Sequence, residues 1–372
     1  ARSIAGIEAP VGPFAGDPGA HQDHHDRAGP APAGRADGDA LCRGAMDLPL
    51  LAQLAALADA RPAVVWGAGL VVSLALLVKS ADVFTDAAEV LGRAIGLAPF
   101  VIGVTIVALG TSLPELLASV LAILRGASEI VMGNVIGSNI ANLGLVLGLA
   151  AIIAGRLKIE RELSFVDLPV LVGVTVLGAL MALSGTVDRL ESLVLVAALA
   201  VYLHLCVRAP RLVEEQRAGA GGLALPRAAL LLVLAAVVIY AGAEGTVIAI
   251  LALARAYAVT TETLAVTVVA IGTSLPEVAV TALAAGRGRA ELAVGNIVGS
   301  NVFNLVAVAG LAGLIGPLAV PESLLTIALP AMVGLTLVAV VMLQSQVVTR
   351  WEGWLLMLAY AWFLAAISGV VA

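Results

Sequence analysis

The sequence predicts an all-α polytopic membrane protein of ten transmembrane helices, arranged as two inverted-topology five-helix repeats. Three observations carry that prediction. The 372 residues are 61% hydrophobic and 12% charged, with a mean hydropathy of +1.06, whereas soluble domains are about 45–50% apolar and about 25% charged. Apolar runs of the ~20 residues that span a bilayer recur along the chain. One pair of polar motifs occurs twice, at a single offset of 162 residues. The composition excludes a water-soluble fold, which would expose too much apolar surface. It excludes disorder for most of the chain and argues against a β-barrel, whose strands alternate polar and apolar residues. With a net charge of −6 and no basic patch, nucleic acid is excluded as a partner; the lipid bilayer is the expected one.

Residues 1–45 come first and break the pattern. They are rich in Gly, Ala, Pro, Asp and Arg and have no apolar period, so they are expected to form a disordered, solvated tail. His21, His24 and His25 lie in it. The chain begins at Ala1, and everything resembling a membrane protein follows Met46, so Met46 is the expected native start. Cys42 and Cys206 are far apart and make neither a disulfide framework nor a metal spacing.

Ten spans follow, near residues 62–80, 95–124, 129–155, 165–186, 190–207, 226–254, 260–286, 291–317, 321–347 and 351–371. The stretch 80–93, with Asp82, Asp86, Glu89 and Arg93 at helical spacing, reads as a solvated helix end at the interface. The link from Arg208 to Arg227, with Gly219, Gly221 and Gly222, reads as the hinge between a first half, 46–217, and a second, 218–372. Lys and Arg in the short links divide four against eleven between the two sides. The loops after odd-numbered spans are therefore expected to be cytoplasmic and both termini outside.

The repeat lies in residues 101–150 and 263–312, where about half the positions are identical without a gap. Gly110-Thr111-Ser112-Leu113-Pro114-Glu115 recurs as Gly272-Thr273-Ser274-Leu275-Pro276-Glu277. Gly133-Asn134, Gly137-Ser138-Asn139 and Asn142-Leu143 recur as Gly295-Asn296, Gly299-Ser300-Asn301 and Asn304-Leu305. The motifs fall on spans two and three, then seven and eight. A shift of five spans makes the copies cross the membrane in opposite directions, the signature of many secondary transporters, whose substrate site lies near the midplane.

Glu115 and Glu277 read as carboxylates deep inside apolar spans, where each costs at least about 2.5–3.5 kcal/mol. No Lys or Arg is assigned to a span interior, so a bound cation is the expected counter-charge; the alternative is two protonated glutamates packed in the bundle. Pro114 lacks an N–H, so the Gly110 carbonyl loses its intrahelical donor. In a continuous helix Thr111 and Ser112 would share a face with Glu115; Thr273, Ser274 and Glu277 repeat the pattern. Ser138 and Asn142, and Ser300 and Asn304, are i and i+4 pairs expected to add oxygens. The glycine pairs are small-xxx-small packing motifs. Asn134, Asn139, Asn296 and Asn301 are equally readable as packing residues or as ligands. The set is all oxygen, which suits a hard cation, calcium foremost, with sodium as its competitor.

These motifs resemble the calcium/cation antiporter superfamily, specifically its prokaryotic sodium/calcium exchanger branch, over nearly all of residues 60–372. The resemblance implies calcium held by Glu115, Glu277 and the carbonyls of Thr111 and Thr273. It implies sodium sites that add Ala108, Ala270, Ser112, Ser274, Ser138 and Ser300, with spans one and six sliding across the core. It implies antiport across the prokaryotic inner membrane, with no catalysis, no cofactor and the monomer as functional unit. Proton/calcium relatives carry a different motif from Thr-Ser-Leu-Pro-Glu, and potassium-dependent ones carry Asp at the position of Asn304. Sodium is therefore the expected driving ion and a proton-coupled cation antiporter the alternative. An intramembrane hydrolase would need a Ser–His pair or two transmembrane aspartates; His204 is the only histidine in a span.

Overall fold

The computed structural model describes residues 61–160, 163, 166–208, 225–256 and 274–368. The tail with His21, His24, His25 and Cys42, the expected start at Met46, the glycine link of Gly219, Gly221 and Gly222, and the first part of the seventh expected span, with Ala270, Gly272 and Thr273, lie outside the described residues.

The chain is an all-helical integral membrane protein. Helix α1 (Pro62–Ala94) begins with proline at its first turn, where a missing N–H costs nothing. It runs 33 residues, about 50 Å at 1.5 Å per residue. The expectation that 80–93 is a solvated helix end is corrected: those residues continue the same helix, and Asp82, Asp86, Glu89 and Arg93 are partly buried in an ion-pair network. Helices α2 (Pro99–Thr111) and α3 (Leu113–Leu124) are an apolar pair bent by 41° at the break between them. The break is at Ser112, with φ −89 and ψ 3, just before Pro114. Gly126, at φ 77, turns the chain in the left-handed region that a side chain would resist, and α4 (Ser128–Ala154) follows. Next come α5 (Asp167–Ala182), α6 (Arg189–Arg208) and α7 (Leu225–Ala256). In the second half α8 (Leu275–Gly286) starts after Ser274, whose φ of −90 and ψ of 5 repeat those of Ser112. Gly288, at φ 73, repeats the turn of Gly126. Then follow α9 (Ala290–Ile315), α10 (Leu324–Gln344) and α11 (Arg350–Ile367).

Among the described residues six helices are long and apolar enough to cross a bilayer, seven with the bent pair counted as one span; α5 and α8 are shorter apolar helices. Burial sorts them. In α4 and α9, 72% and 83% of the apolar window is buried, against 11% in α1 and 28% in α7. Helices α4 and α9 thus form the centre, while α1 and α7 lie on the outside, packed along each other. A Cβ at Gly242 of α7 would lie 2.9 Å from the Leu77 nitrogen, and one at Gly245 would lie 2.5 Å from Ser73 Oγ, so bare glycines let the two helices touch.

Two short antiparallel ribbons tie the halves together. Strand β1 (Arg156–Lys158) pairs with β4 (Val347–Thr349), and β2 (Thr186–Val187) with β3 (Leu318–Ala319). Arg156 faces Thr349. Adding 162 to the first and subtracting 162 from the second gives Leu318 facing Val187, which is the register of the other ribbon.

Candidate functional site

The site is built where this bent pair meets the central helices. Gly103 of α2 and Gly295 of α9 pass backbone against backbone: a Cβ at Gly295 would lie 2.4 Å from the Phe100 carbonyl oxygen, and one at Gly299 2.6 Å from that of Val104. The small-xxx-small expectation therefore holds for Gly295 and Gly299. Around Gly133 and Gly137 the nearest described atom is Leu324 Cδ1, at 4.0 Å from a Cβ on Gly133. The close approach in the second half brings Thr111, at the end of α2, onto α9. Its hydroxyl donates to Asn296 Oδ1 at 3.2 Å and lies 3.5 Å from Ser300 Oγ.

Every expected site residue that is described is buried: Ala108, Thr111, Ser112, Glu115, Ser138, Asn142, Ser274, Glu277, Ser300 and Asn304 are all 3% exposed or less. Ala270 and Thr273 lie outside the described residues. The partnership within the motif differs from the expectation. Ser112 does not serve Glu115 on its own helix; its hydroxyl donates across the bundle to Glu277 Oε1, at 3.2 Å. The reason is the proline. A shared face at i and i+3 requires an unbroken helix, and the break at Ser112 turns the hydroxyls of one copy toward the glutamate of the other.

The pocket oxygens are unsaturated. Both oxygens of Glu115, Oε2 of Glu277, the hydroxyls of Ser138 and Ser274, and both amide atoms of Asn142 and of Asn304 are buried without a hydrogen-bond partner among the described residues. Each such group ordinarily costs about 1–3 kcal/mol, and the glutamate and asparagine pairs among them occupy repeat-equivalent positions. Among the described residues no group of three or more His, Cys, Asp or Glu side chains is placed to hold a metal. A cation at the two glutamates would therefore complete its shell with hydroxyl, amide and main-chain oxygens. The Thr111 hydroxyl donates its hydrogen to Asn296 and keeps its oxygen lone pairs, so Thr111 can offer both that oxygen and its carbonyl. The Ala108 carbonyl already accepts the Ser112 N–H at 3.0 Å and retains its second lone pair.

Sequence reasoning missed three features. Asn142–Val146 and Asn304–Val308 are π-helical turns, in which the N–H of Leu147 and of Ala309 bonds five residues back to the asparagine carbonyl. Such insertions favour functional sites. The turn at Asn304 packs against α3, which carries Glu115, and the turn at Asn142 packs against α8, which carries Glu277. The asparagines left open between packing and ligation act as struts. Asn296 Nδ2 donates to Thr281 Oγ1 at 2.9 Å, and Asn134 Nδ2 donates to Ser119 Oγ at 3.2 Å. Asn139 Nδ2 donates to the Asn301 carbonyl at 3.2 Å, joining equivalent positions of the two copies. Ser119 and Thr281 were legible as a repeat pair, being 162 apart. The third feature is Glu244, an acid near the middle of α7 that is exposed.

Known proteins are similar to this chain. A match to the family described as "Sodium/calcium exchanger protein" covers residues 65–208 and 227–369. The sodium/calcium exchanger MaX1 of Methanosarcina acetivorans is 32% identical over 342 residues, 80% of this chain and 97% of the relative. The inner membrane protein YrbG of Escherichia coli is 35% identical over 260 residues, 67% of this chain and 79% of the relative. Among solved structures, the sodium-calcium exchanger NCX_Mj superposes with a TM-score of 0.71 at 28% identity, covering 81% of this chain and 98% of that one. MaX1 and NCX_Mj are exchangers by name, and by the match over residues 65–208 and 227–369 this chain belongs to the sodium/calcium exchanger family.

Proposed function

We propose that the chain is a sodium/calcium antiporter that works by alternating access, with Glu115 and Glu277 at a midplane site. One observation supports the reading: two buried glutamates from equivalent positions of a repeat are linked through Ser112, with oxygens around them that have no partner and no cationic side chain paired with them among the described residues. Two carboxylates balance one calcium ion, whose 6–8 flexible oxygen contacts the Thr111 and Thr273 carbonyls and neighbouring groups complete. Sodium ions use the same oxygens, with Ala108, Ala270, Ser112, Ser274, Ser138, Ser300, Asn142 and Asn304 as the further candidates. Exchange then follows from competition for one set of ligands and requires no cofactor.

The same reading gives ten spans in two inverted halves, 46–217 and 218–372. Its support is the common dihedral break at Ser112 and Ser274 together with the two ribbons, which exchange places under the repeat offset. The outer helices α1 and α7 slide as a pair over the central α4 and α9. The orientation is that set by the Lys and Arg balance, in the inner membrane with both termini outside, and the functional unit is a monomer. The test is calcium uptake into sealed vesicles under an imposed sodium gradient. Uptake that requires internal sodium is expected; uptake that follows a pH gradient and ignores sodium would replace the reading with proton-coupled antiport.

A further inference from the structure

The outer helix α1 is fastened to the second half by an ion-pair network. Arg287, in the link between α8 and α9, pairs with Asp82 and reaches Asp86 at 3.4 Å. Arg289 pairs with Asp86 at 2.7 Å and with Glu89 at 3.3 Å, and Arg93 holds Glu89 from within α1. The acids share one face of α1 at i, i+4 and i+7, and α1 lies along α8 beneath them. Asp82, Glu89, Arg93 and Arg289 are partly buried, while Arg287 is exposed, so the pairs made by Arg289 and Arg93 are screened less than surface ones.

The repeat offset maps this lock onto a second pair of residues. Asp82 plus 162 is Glu244, and Arg287 minus 162 is Arg125. Both are exposed, and among the described residues neither is in an ion pair. Helix α7 makes no contact with α3 comparable to that of α1 with α8. One half of the molecule thus holds a closed lock while the equivalent parts of the other half stand apart. Glu244 lies among Ala241, Gly242, Ala243 and Gly245 in the middle of a long apolar helix. An acid there is costly and is functional by default.

We propose that Asp82–Arg287 and Glu244–Arg125 are alternating ion locks of the transport cycle, the first made in the state described here and the second in the oppositely open state. The proposal rests on the alternating-access reading above. If the halves are equivalent by inversion, exchanging their conformations gives a second state in which Glu244 meets Arg125 and Asp82 is released. The glycine contacts at Gly242 and Gly245 keep α1 and α7 together, so a single sliding motion breaks one lock and makes the other. The locks are unequal. Where the first has Asp86, Glu89 and Arg289, the second has Ile248, Leu251 and Ala127, so the first lock is the stronger of the two.

The test uses the full chain in vesicles, with Cys42 and Cys206 replaced by serine. The double variant Glu244→Cys/Arg125→Cys is treated with a short bis-methanethiosulfonate, which joins the two thiols through reducible disulfides as sulfinate leaves, while calcium and sodium are varied. Cross-linking is expected as the protein turns over, with exchange arrested until a reductant cleaves the bridge. Adding Asp82→Asn, which weakens the first lock, is expected to speed cross-linking about fivefold, the effect of a coupling of roughly 1 kcal/mol. In a second arm, Glu244→Arg is expected to slow exchange and Glu244→Arg/Arg125→Glu to restore it. Absence of cross-linking in all ion conditions, in a wild-type background that exchanges calcium normally, would overturn the locks and leave the antiporter reading intact. Absence of exchange by the wild-type chain would instead overturn the antiporter reading.

Discussion

Replacing Gly299 by alanine tests whether the close crossing of α2 and α9 builds the site. The added Cβ would lie 2.6 Å from the Val104 carbonyl oxygen and 2.7 Å from both Val104 Cα and Ala108 Cβ. Carbon contacts are comfortable at about 3.5–4.0 Å, so the helices must separate by about 1 Å. Two of the obstacles are backbone and the third is a Cβ, so no side-chain rotation relieves them. Overpacking of this kind costs about 1–3 kcal/mol. The separation also stretches the 3.2 Å bond from Thr111 to Asn296 past the limit of a hydrogen bond, which forfeits about 0.5–1.5 kcal/mol more and displaces the Thr111 carbonyl. The assay pairs the thermal midpoint in detergent with calcium uptake by vesicles. Gly299→Ala is expected to lower the midpoint by a few degrees and to abolish or severely slow uptake. Gly173→Ala, where a Cβ meets nothing within 4 Å, is the control and is expected to be neutral or slightly stabilising. Wild-type uptake and stability in Gly299→Ala would refute the reasoning.

Three further outcomes are expected. Thr281→Val leaves the buried Asn296 amide nitrogen without its 2.9 Å partner, at a cost of about 1–3 kcal/mol; the midpoint should fall and apparent calcium affinity weaken, with Thr281→Ser restoring both. Asn304→Asp adds a carboxylate to a buried site that holds two; calcium concentration dependence should show about tenfold tighter binding, as roughly 1.4 kcal/mol of added attraction gives, with slower turnover. Pro114→Ala returns an N–H to the helix, so the Gly110 carbonyl regains its donor; the protein should remain folded while uptake falls.

Much of this structure was readable because chemistry repeated. The 162-residue offset marked the helices that begin after the breaks at Ser112 and Ser274 and the two most buried helices, and several helix limits followed from the apolar runs. Helix α1 was cut short, however, because Asp82, Asp86 and Glu89 look like solvent-facing charges until Arg287 and Arg289, some 200 residues away, are seen to meet them. The π turns at Asn142 and Asn304 leave no trace in an apolar run, since a single widened turn does not alter the period around it. The crossed partnership of Ser112 with Glu277 was hidden for a related reason: Pro114, which frees a carbonyl, also breaks the geometry on which an i, i+3 argument depends. Glu244 was readable in principle, as the repeat partner of Asp82.

The most direct test of the central claim is sodium-driven calcium uptake by vesicles containing the wild-type chain, Glu115→Gln or Glu277→Gln, each matched for folded protein. Removing either carboxylate leaves a divalent ion with one uncompensated charge in a buried site, where unpaired charge is strongly disfavoured. Sodium-dependent uptake by the wild type and its loss in both variants, with folding retained, is the predicted result. Undiminished uptake in either variant would contradict it.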